Sequence, residues 1–483
     1  MRGYVPQRIV AAEIAAGGRR FVFTVEAAGY ARGDYYDRPM SVSAAEDATG
    51  AGTPNRPRLD FAAPAGSRAL PLTLAVVAPR VARLRLGRQP EHDFGILLDP
   101  EPAGLALDAR ETAEGWEVAA GELRIIVGRE PFALRVGCPD GPPFALAGDE
   151  RNVFGQALVP PLCVAEDGAE ASVGWALAPD EHLYGLGERF VRFDQRGRRA
   201  TLWDTDSWGT NTDAAYKNCP LVCSSRGYVV FAHTIARAEA DLGATHAAAA
   251  SLGVEDEGLD FFVFLGPDLK AALGDYTALT GRMPPLPRWA LGLWASRCRY
   301  ETRAEVEAVV ERFRLEEIPL DVVNLDPAWL RTPALNCDFV WNEVAFPDPA
   351  GMVRALGADG VKVCLWEVPY LSEGTALYDE AKERGYLLRG PDGGPVAVVD
   401  GTFVAEPRRA PVDFTNPDAA AWWKEQHRPL LDIGIAAFKT DFGEGVPADA
   451  RSAAGLTGRE LRNVYPLLYN RAVYEATAQA HGG

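Results

Sequence analysis

Lys439, Asp441 and Glu444 fall together in the stretch FKTDFGEGVP (438–447), directly after the apolar run Ile433 to Phe438. Residues two apart on a strand project to the same side, so Lys439 and Asp441 face one way. A cation beside a carboxylate favours its ionised form, and an ionised carboxylate is what nucleophilic attack on carbon requires. The plain alternative is a buried structural ion pair. Two further carboxylates hold comparable places: Asp326 closes the run PLDVVNLD (319–326), and Glu367 stands near the end of VKVCLWEV (361–368). Any one of the three is explained as a helix N-cap in a βα loop. Taken with Trp329, Trp341, Trp366 and Lys439, they describe a pocket of carboxylates and aromatic faces. Such a pocket suits sugars, whose C–H faces are apolar and whose hydroxyls need acceptors.

These residues need a frame that brings strand ends together. From about residue 289 the chain repeats a strand-helix pattern four times. WALGLWAS (289–296) reads as a buried strand, followed by the helix TRAEVEAVVERFRLEEI, with Val306, Val309, Val310 and Phe313 on one face and a capping-box pattern at Thr302 and Glu305. PLDVVNLD is the second strand, with a helix from DPAGMVRALGADG. VKVCLWEV is the third, with the helix TALYDEAKERGY. IAAFKTD (435–441) is the fourth, preceded by a helix opened by Asn416-Pro417 and followed by one helix across TGRELRNVYPLLYNRAVYEATAQA. Near-continuous apolar strands are buried on both faces, as in a parallel sheet. The pattern admits a doubly wound sheet or a (β/α)8 barrel. Carboxylates at strand C-termini favour the barrel, which keeps its chemistry at that end.

Residues 1–280 follow a different grammar. RFVFTVEAAGY and WEVAAGELRIIVG alternate, RGYVVFAHTI and LDFFVFLG are short β-rich runs, and helical periodicity is rare. A large β-sandwich is the expectation. TGAGTPNRPR (49–58) and PDGPPFALAGDE (139–150) read as loops, and Pro284, Pro285 and Pro287 mark the boundary to the second region, 281–483.

At 483 residues with 47% hydrophobic content, the chain can bury more than one core. A formal charge of −18 disfavours nucleic acid and anionic membranes as partners and suits a neutral substrate. No run approaches 18 apolar residues, and MRGYVPQRIV places charges and a proline where a signal peptide needs an apolar segment. Seven scattered cysteines without a CxxC pair read as reduced thiols in a cytoplasmic protein. Cys219 and Cys223 lack the further ligands a metal needs, so no metal and no cofactor are expected. HLYGLGERF lacks the spacing of a phosphate-binding glycine loop.

FKTDFGE resembles the nucleophile motif of glycoside hydrolase family 31, in the form of its α-xylosidase-like members. HLYGLGERF (182–190), AYKNCPLVCSSRGYVVF (215–231), YTALTGRMPPLPRWALGLW (276–294), CDFVWNEVAFPDPAGMVRAL (337–356) and VDFTNPDAAAWW (412–423) resemble further family motifs, in order. The resemblance implies a galactose mutarotase-like β-sandwich over 1–280 and a catalytic (β/α)8 barrel beginning at 281. It implies a retaining α-glycosidase acting on α-xylosidic or α-glucosidic bonds of oligosaccharides. Asp441 would be the nucleophile, Asp326 and Lys439 would hold sugar hydroxyls, and Trp341 and Trp366 would line the −1 subsite. Glu444 is expected to be a supporting residue or a helix cap. Pro327 and Ala328 replace the larger Cys-Phe of the α-xylosidase-like pattern beside Asp326, and the smaller residues are expected to leave room for a sugar larger than xylose or a substituted one; Val368 replaces the family's usual Asn, so the resemblance does not fix xylose as the sugar.

A (β/α)8 barrel takes eight strands and roughly 250 residues. Trp289 to Gly483 supplies 195 residues and four strands. The family's acid/base aspartate lies on a later strand, and no motif in this chain replaces it; Glu367 and Glu444 are the nearest acids. The expectation is therefore the first half of a barrel, without its acid/base, in a fragment or in one part of a split enzyme. A sugar-binding chain without turnover is the alternative, and homo-oligomerisation is left open.

Overall fold

The structure, a computed structural model, describes residues 2–31, 66–88, 93–139, 141, 143–148, 159–207, 212–331, 337–399 and 407–482. The loop expected at 49–58 lies outside these residues, as do 140, 142, 149 and 150 of the loop expected at 139–150.

Residues up to Leu265 build an antiparallel sheet of thirteen strands and a second of five. Their inner faces share one core. Phe21, Phe23, Leu72, Leu84 and Leu86 of the large sheet meet Trp116, Val118, Ile125, Val127, Leu134 and Val136 of the small one. The Phe21 and Trp116 rings sit edge to face at 5.9 Å. This is sheet-on-sheet packing, produced by strands that alternate inward apolar residues with outward polar ones. A helix, Leu269–Thr280, follows the last strand. The sequence reading has no helix there. Tyr276 anchors it edge-on against Phe231 and Phe264, and only Ala272 is fully buried, so the helical period is faint in the sequence.

The second region holds four parallel strands in the order β1 (Trp294–Arg297), β2 (Val322–Leu325), β3 (Lys362–Glu367) and β4 (Ala437–Thr440). The helices are α1 (Arg303–Leu315), α2 (Pro349–Ala358), α3 (Ala376–Arg384), α4 (Pro417–Asp432), α5 (Gly458–Leu461) and α6 (Tyr465–His481). Each strand is followed by at least one helix, which is the repeating unit of a (β/α)8 barrel. The outward faces of β2 and β3, Val323, Leu325, Val363 and Leu365, pack with helical residues such as Val306, Met352, Trp423 and Tyr469 in one core.

Three expectations need correction. The run 289–296 is not one buried strand: residues 288–291 form a 3-10 turn, the strand begins at Trp294, and Ala295 alone in it is buried. Among the described residues β1 is an edge strand, so its apolar residues have one neighbouring strand. The expected last helix is two helices, because Pro466 cannot donate into a helix interior and sits at the start of α6. The Thr302 hydroxyl accepts from Glu305 N at 3.2 Å, but the box is not reciprocal: the Glu305 carboxylate accepts from Glu301 N and pairs with Arg297.

The sandwich docks on the half-barrel through polar contacts. Asn463 Oδ1 accepts from Asp204 N at 2.9 Å, and its amide donates to Leu202 O and Ala236 O. Arg462 donates to Asp204 O and Val446 O. Among the described residues, no helix is long and apolar enough to cross a membrane.

Candidate active site

The register of the parallel sheet selects which side chains meet. Ser296 pairs with Asn324, Asn324 with Cys364, and Trp366 with Lys439. Alternation then places Ser296, Asn324, Asp326, Trp366, Lys439 and Asp441 on one face. That face is turned away from the helices and corresponds to the inside of a barrel.

Asp441 follows β4 directly, and its N–H donates to Glu367 O at 3.0 Å. Its carboxylate receives the Trp366 indole N–H at 2.6 Å, Phe442 N at 3.2 Å and the Lys439 ammonium at 3.7 Å. Lys439 Nζ donates to Asp326 Oδ1 at 2.8 Å. Burial draws the Lys439 ammonium down, but the hydrogen bond to Asp326 and the charges of Asp441 and Asp326 outweigh it, so its pKa stands above the ordinary lysine value. The side chains of Lys439 and Asp441 are 44% and 36% exposed, so both remain reachable from solvent. Asp326 is buried. This answers the plain alternative directly: the pair is not a sealed structural ion pair.

The tryptophans stack behind this row. Trp329 donates its indole N–H to Trp366 O at 2.9 Å. Trp341 packs edge-on against Trp329 at 5.0 Å. Trp341 therefore joins the cluster through Trp329, whereas Trp366 touches Asp441 itself. The loop after Asp441 is held in an unusual course. Phe442 has φ +60° and Gly443 φ +119°, and Tyr370 Oη accepts from both Gly443 N at 3.0 Å and Gly445 N at 2.8 Å. A Cβ at Gly445 would lie 2.8 Å from that oxygen, so glycine is needed there.

Glu367 lies elsewhere than the sequence reading places it, and of the two roles expected for Glu444 the helix cap falls away. Glu367 shares a strand with Trp366 but points to the opposite face, fully buried, where it bonds His427 Nε2 of α4 at 2.6 Å. His427 Nδ1 lies 2.9 Å from Trp423 O. Glu367 thus leaves the carboxylate pocket. Glu444 caps no helix. It is 2% exposed with Oε1 unpartnered. Burial pushes its carboxyl up to about 8, with the carboxylates of Asp206, Asp441 and Asp204 adding to the effect. Neither acid presents its carboxyl to the open face. Pro327 and Ala328 are buried in a short 3-10 turn that follows Asp326.

Comparison with known proteins matches this architecture twice over. Residues 71–241 match the glycosyl hydrolase 31 N-terminal galactose mutarotase-like domain, and residues 283–483 match the glycosyl hydrolases family 31 TIM-barrel domain. The chain belongs to glycoside hydrolase family 31. It is 37% identical over 307 residues to alpha-xylosidase XylQ of Lactiplantibacillus pentosus, covering 63% of this chain and 39% of that protein. It is 28% identical over 406 residues to alpha-glucosidase 2 of Bacillus thermoamyloliquefaciens, covering 79% and 49%. Among solved structures, the GH31 dextranase FjDex31A of Flavobacterium johnsoniae, complexed with glucose, shares the fold with a TM-score of 0.80 at 21% identity, covering 98% of this chain and 53% of that one. The chain thus spans about half the length, or less, of these proteins.

Proposed function

We propose that this chain carries the nucleophile half of a retaining α-glycosidase, with Asp441 attacking the anomeric carbon of a terminal α-xylosyl or α-glucosyl residue. One observation carries the reading: an accessible carboxylate at a strand's C-terminal end, held by an indole N–H, a backbone N–H and a lysine. In the first step an Asp441 oxygen forms a bond to the anomeric carbon as the bond to the departing oxygen breaks. The departing oxygen takes a proton from a general acid, and water then releases the sugar from Asp441. Asp326 and Lys439 hold sugar hydroxyls, and Trp341 and Trp366 form the apolar wall. The acid/base is a group other than Glu367, which faces the helices, and Glu444, which is sealed. A cytoplasmic setting and an oligosaccharide substrate complete the reading.

Saturation-transfer NMR with methyl α-xyloside and methyl α-glucoside tests the substrate class. We expect the chain to bind at least one of them and Lys439→Met to weaken that binding about tenfold or more, as for a lost hydrogen bond to a charged group. Binding of neither sugar, or unchanged binding by the variant, contradicts the assignment.

A further inference from the structure

Six inward-facing side chains form one unbroken polar line across all four strands. Asn324 Nδ2 donates to Ser296 Oγ of β1 at 3.0 Å and to Asp326 Oδ2 at 3.1 Å. Asp326 Oδ1 accepts from Lys439, Lys439 reaches Asp441 Oδ2, and the same oxygen accepts from Trp366. Among the described residues, Asn324 is the single link between the first strand and the rest of this line. It sits two residues before Asp326, 4% exposed. Its amide has one workable orientation, because exchanging N and O would set Oδ1 against the Asp326 carboxylate, acceptor to acceptor. The other end of the amide, Oδ1, is buried without a partner. An amide that leaves its own carbonyl unsatisfied is held by its donors, and those donors aim at Asp326.

We infer that Asn324 is a positioning residue: it clamps Oδ2 of Asp326 so that Oδ1 is presented to Lys439 and the free lone pairs of the carboxylate to a sugar. The inference rests on the proposed reading of Asp326 as a sugar-holding group. Without the clamp the carboxylate turns about its side-chain torsion, and Lys439 divides itself between Asp326 and Asp441. No group other than Asn324 and Lys439 donates to Asp326 in the hydrogen bonds among the described residues. The signal was present in the sequence, since NLD places an amide and a carboxylate on one strand face.

The titration of Lys439 reads this clamp without any catalysis. The sequence holds six lysines, Lys217, Lys270, Lys362, Lys382, Lys424 and Lys439, so lysine-selective 13C labelling of the full chain resolves them. In Asn324→Leu we expect the Lys439 side-chain signal to titrate lower than in wild type, by on the order of 0.5 pH unit, with the other five unmoved. Asn324→Ala carries the same titration should the leucine variant lose its near-UV circular dichroism. Asn324→Asp keeps the shape but replaces the donor with an acceptor against Asp326. Binding of methyl α-xyloside by this variant should fall about tenfold near neutral pH and recover as acid protonates the pair. An unshifted Lys439 in both neutral variants overturns the inference, and so does wild-type binding by Asn324→Asp across pH. A wild-type chain that binds no sugar overturns the functional reading instead, and the Lys439 titration still decides whether Asn324 is a clamp.

Discussion

At the scale of single residues, parity along the strand decides function. Lys439 and Asp441, or Asn324 and Asp326, are two apart and share a face; Trp366 and Glu367 are adjacent and do not. The Lys439–Asp441 pair was therefore legible from spacing alone. Glu367 was misplaced because its nearness to a strand end was counted and its parity was not. Trp366→Phe should keep the ring and lose the N–H to Asp441. We expect the rate of glycosyl transfer to Asp441 to drop about tenfold with little change in sugar affinity, measured with an activated glycosyl fluoride. The buried His427–Glu367 pair has a pH signature. Burial draws the imidazolium down, but the charge and hydrogen bond of Glu367 and the bond to Trp423 hold its pKa above the ordinary histidine value. Its contribution to stability is thus complete below about pH 6.5 and lost as pH rises through the higher folded value. Urea midpoints should fall over that range in wild type. In His427→Ala the midpoint should be lower by the equivalent of about 3 kcal/mol at pH 6, because Glu367 is left buried and alone. In the double variant His427→Leu/Glu367→Leu, which leaves no titrating group at the pair, the slope should vanish, and a slope equal to that of the wild type would refute this.

At the scale of elements, the strand-helix repeat was readable because apolar runs end at capping residues. Thr302, Asp348, Thr375 and Asn416 each cap a helix with a side-chain oxygen. What could not be read was which apolar run lacks a cover. Leu291 is 74% exposed and Leu293 44%, although their sequence reads as core. Among the described residues, β1 and β4 end the sheet. Unpaired strand edges with exposed apolar side chains promote association. We expect the chain to self-associate with rising concentration in sedimentation velocity, and Leu293→Lys to shift it towards monomer; an identical distribution for both would tell against the open edge. The turn after β4 is a second element-scale test. Tyr370→Phe strands the Gly443 and Gly445 N–H groups in a buried site, so it should cost about 2 kcal/mol in urea unfolding, and a loss below 0.5 kcal/mol would show the turn to be held by other contacts.

At the scale of the molecule, directed bonds join the sandwich and the half-barrel, and Phe94 and Ile235 of the sandwich region pack on the half-barrel's core. Arg462 and Asn463 carry much of this, and they bind Leu202 and Asp204 of the sandwich to the loop that follows the nucleophile strand. None of this could be read from sequence, since a hydrogen bond from Asp204 N to Asn463 Oδ1 spans 259 positions and leaves no periodic trace. The half-barrel's inner face, with its row of polar groups, is what the rest of the chain holds in place. The most direct test of the account is mass spectrometry of the chain after incubation with 5-fluoro-α-xylosyl fluoride. Fluoride departs without a proton, so attack by the nucleophile can proceed where no general acid is at hand. We expect a single glycosyl adduct, mapped by peptide digestion to Asp441 and absent in Asp441→Asn. No adduct, or an adduct on Asp326 or another acid, would contradict the assignment of Asp441 as nucleophile.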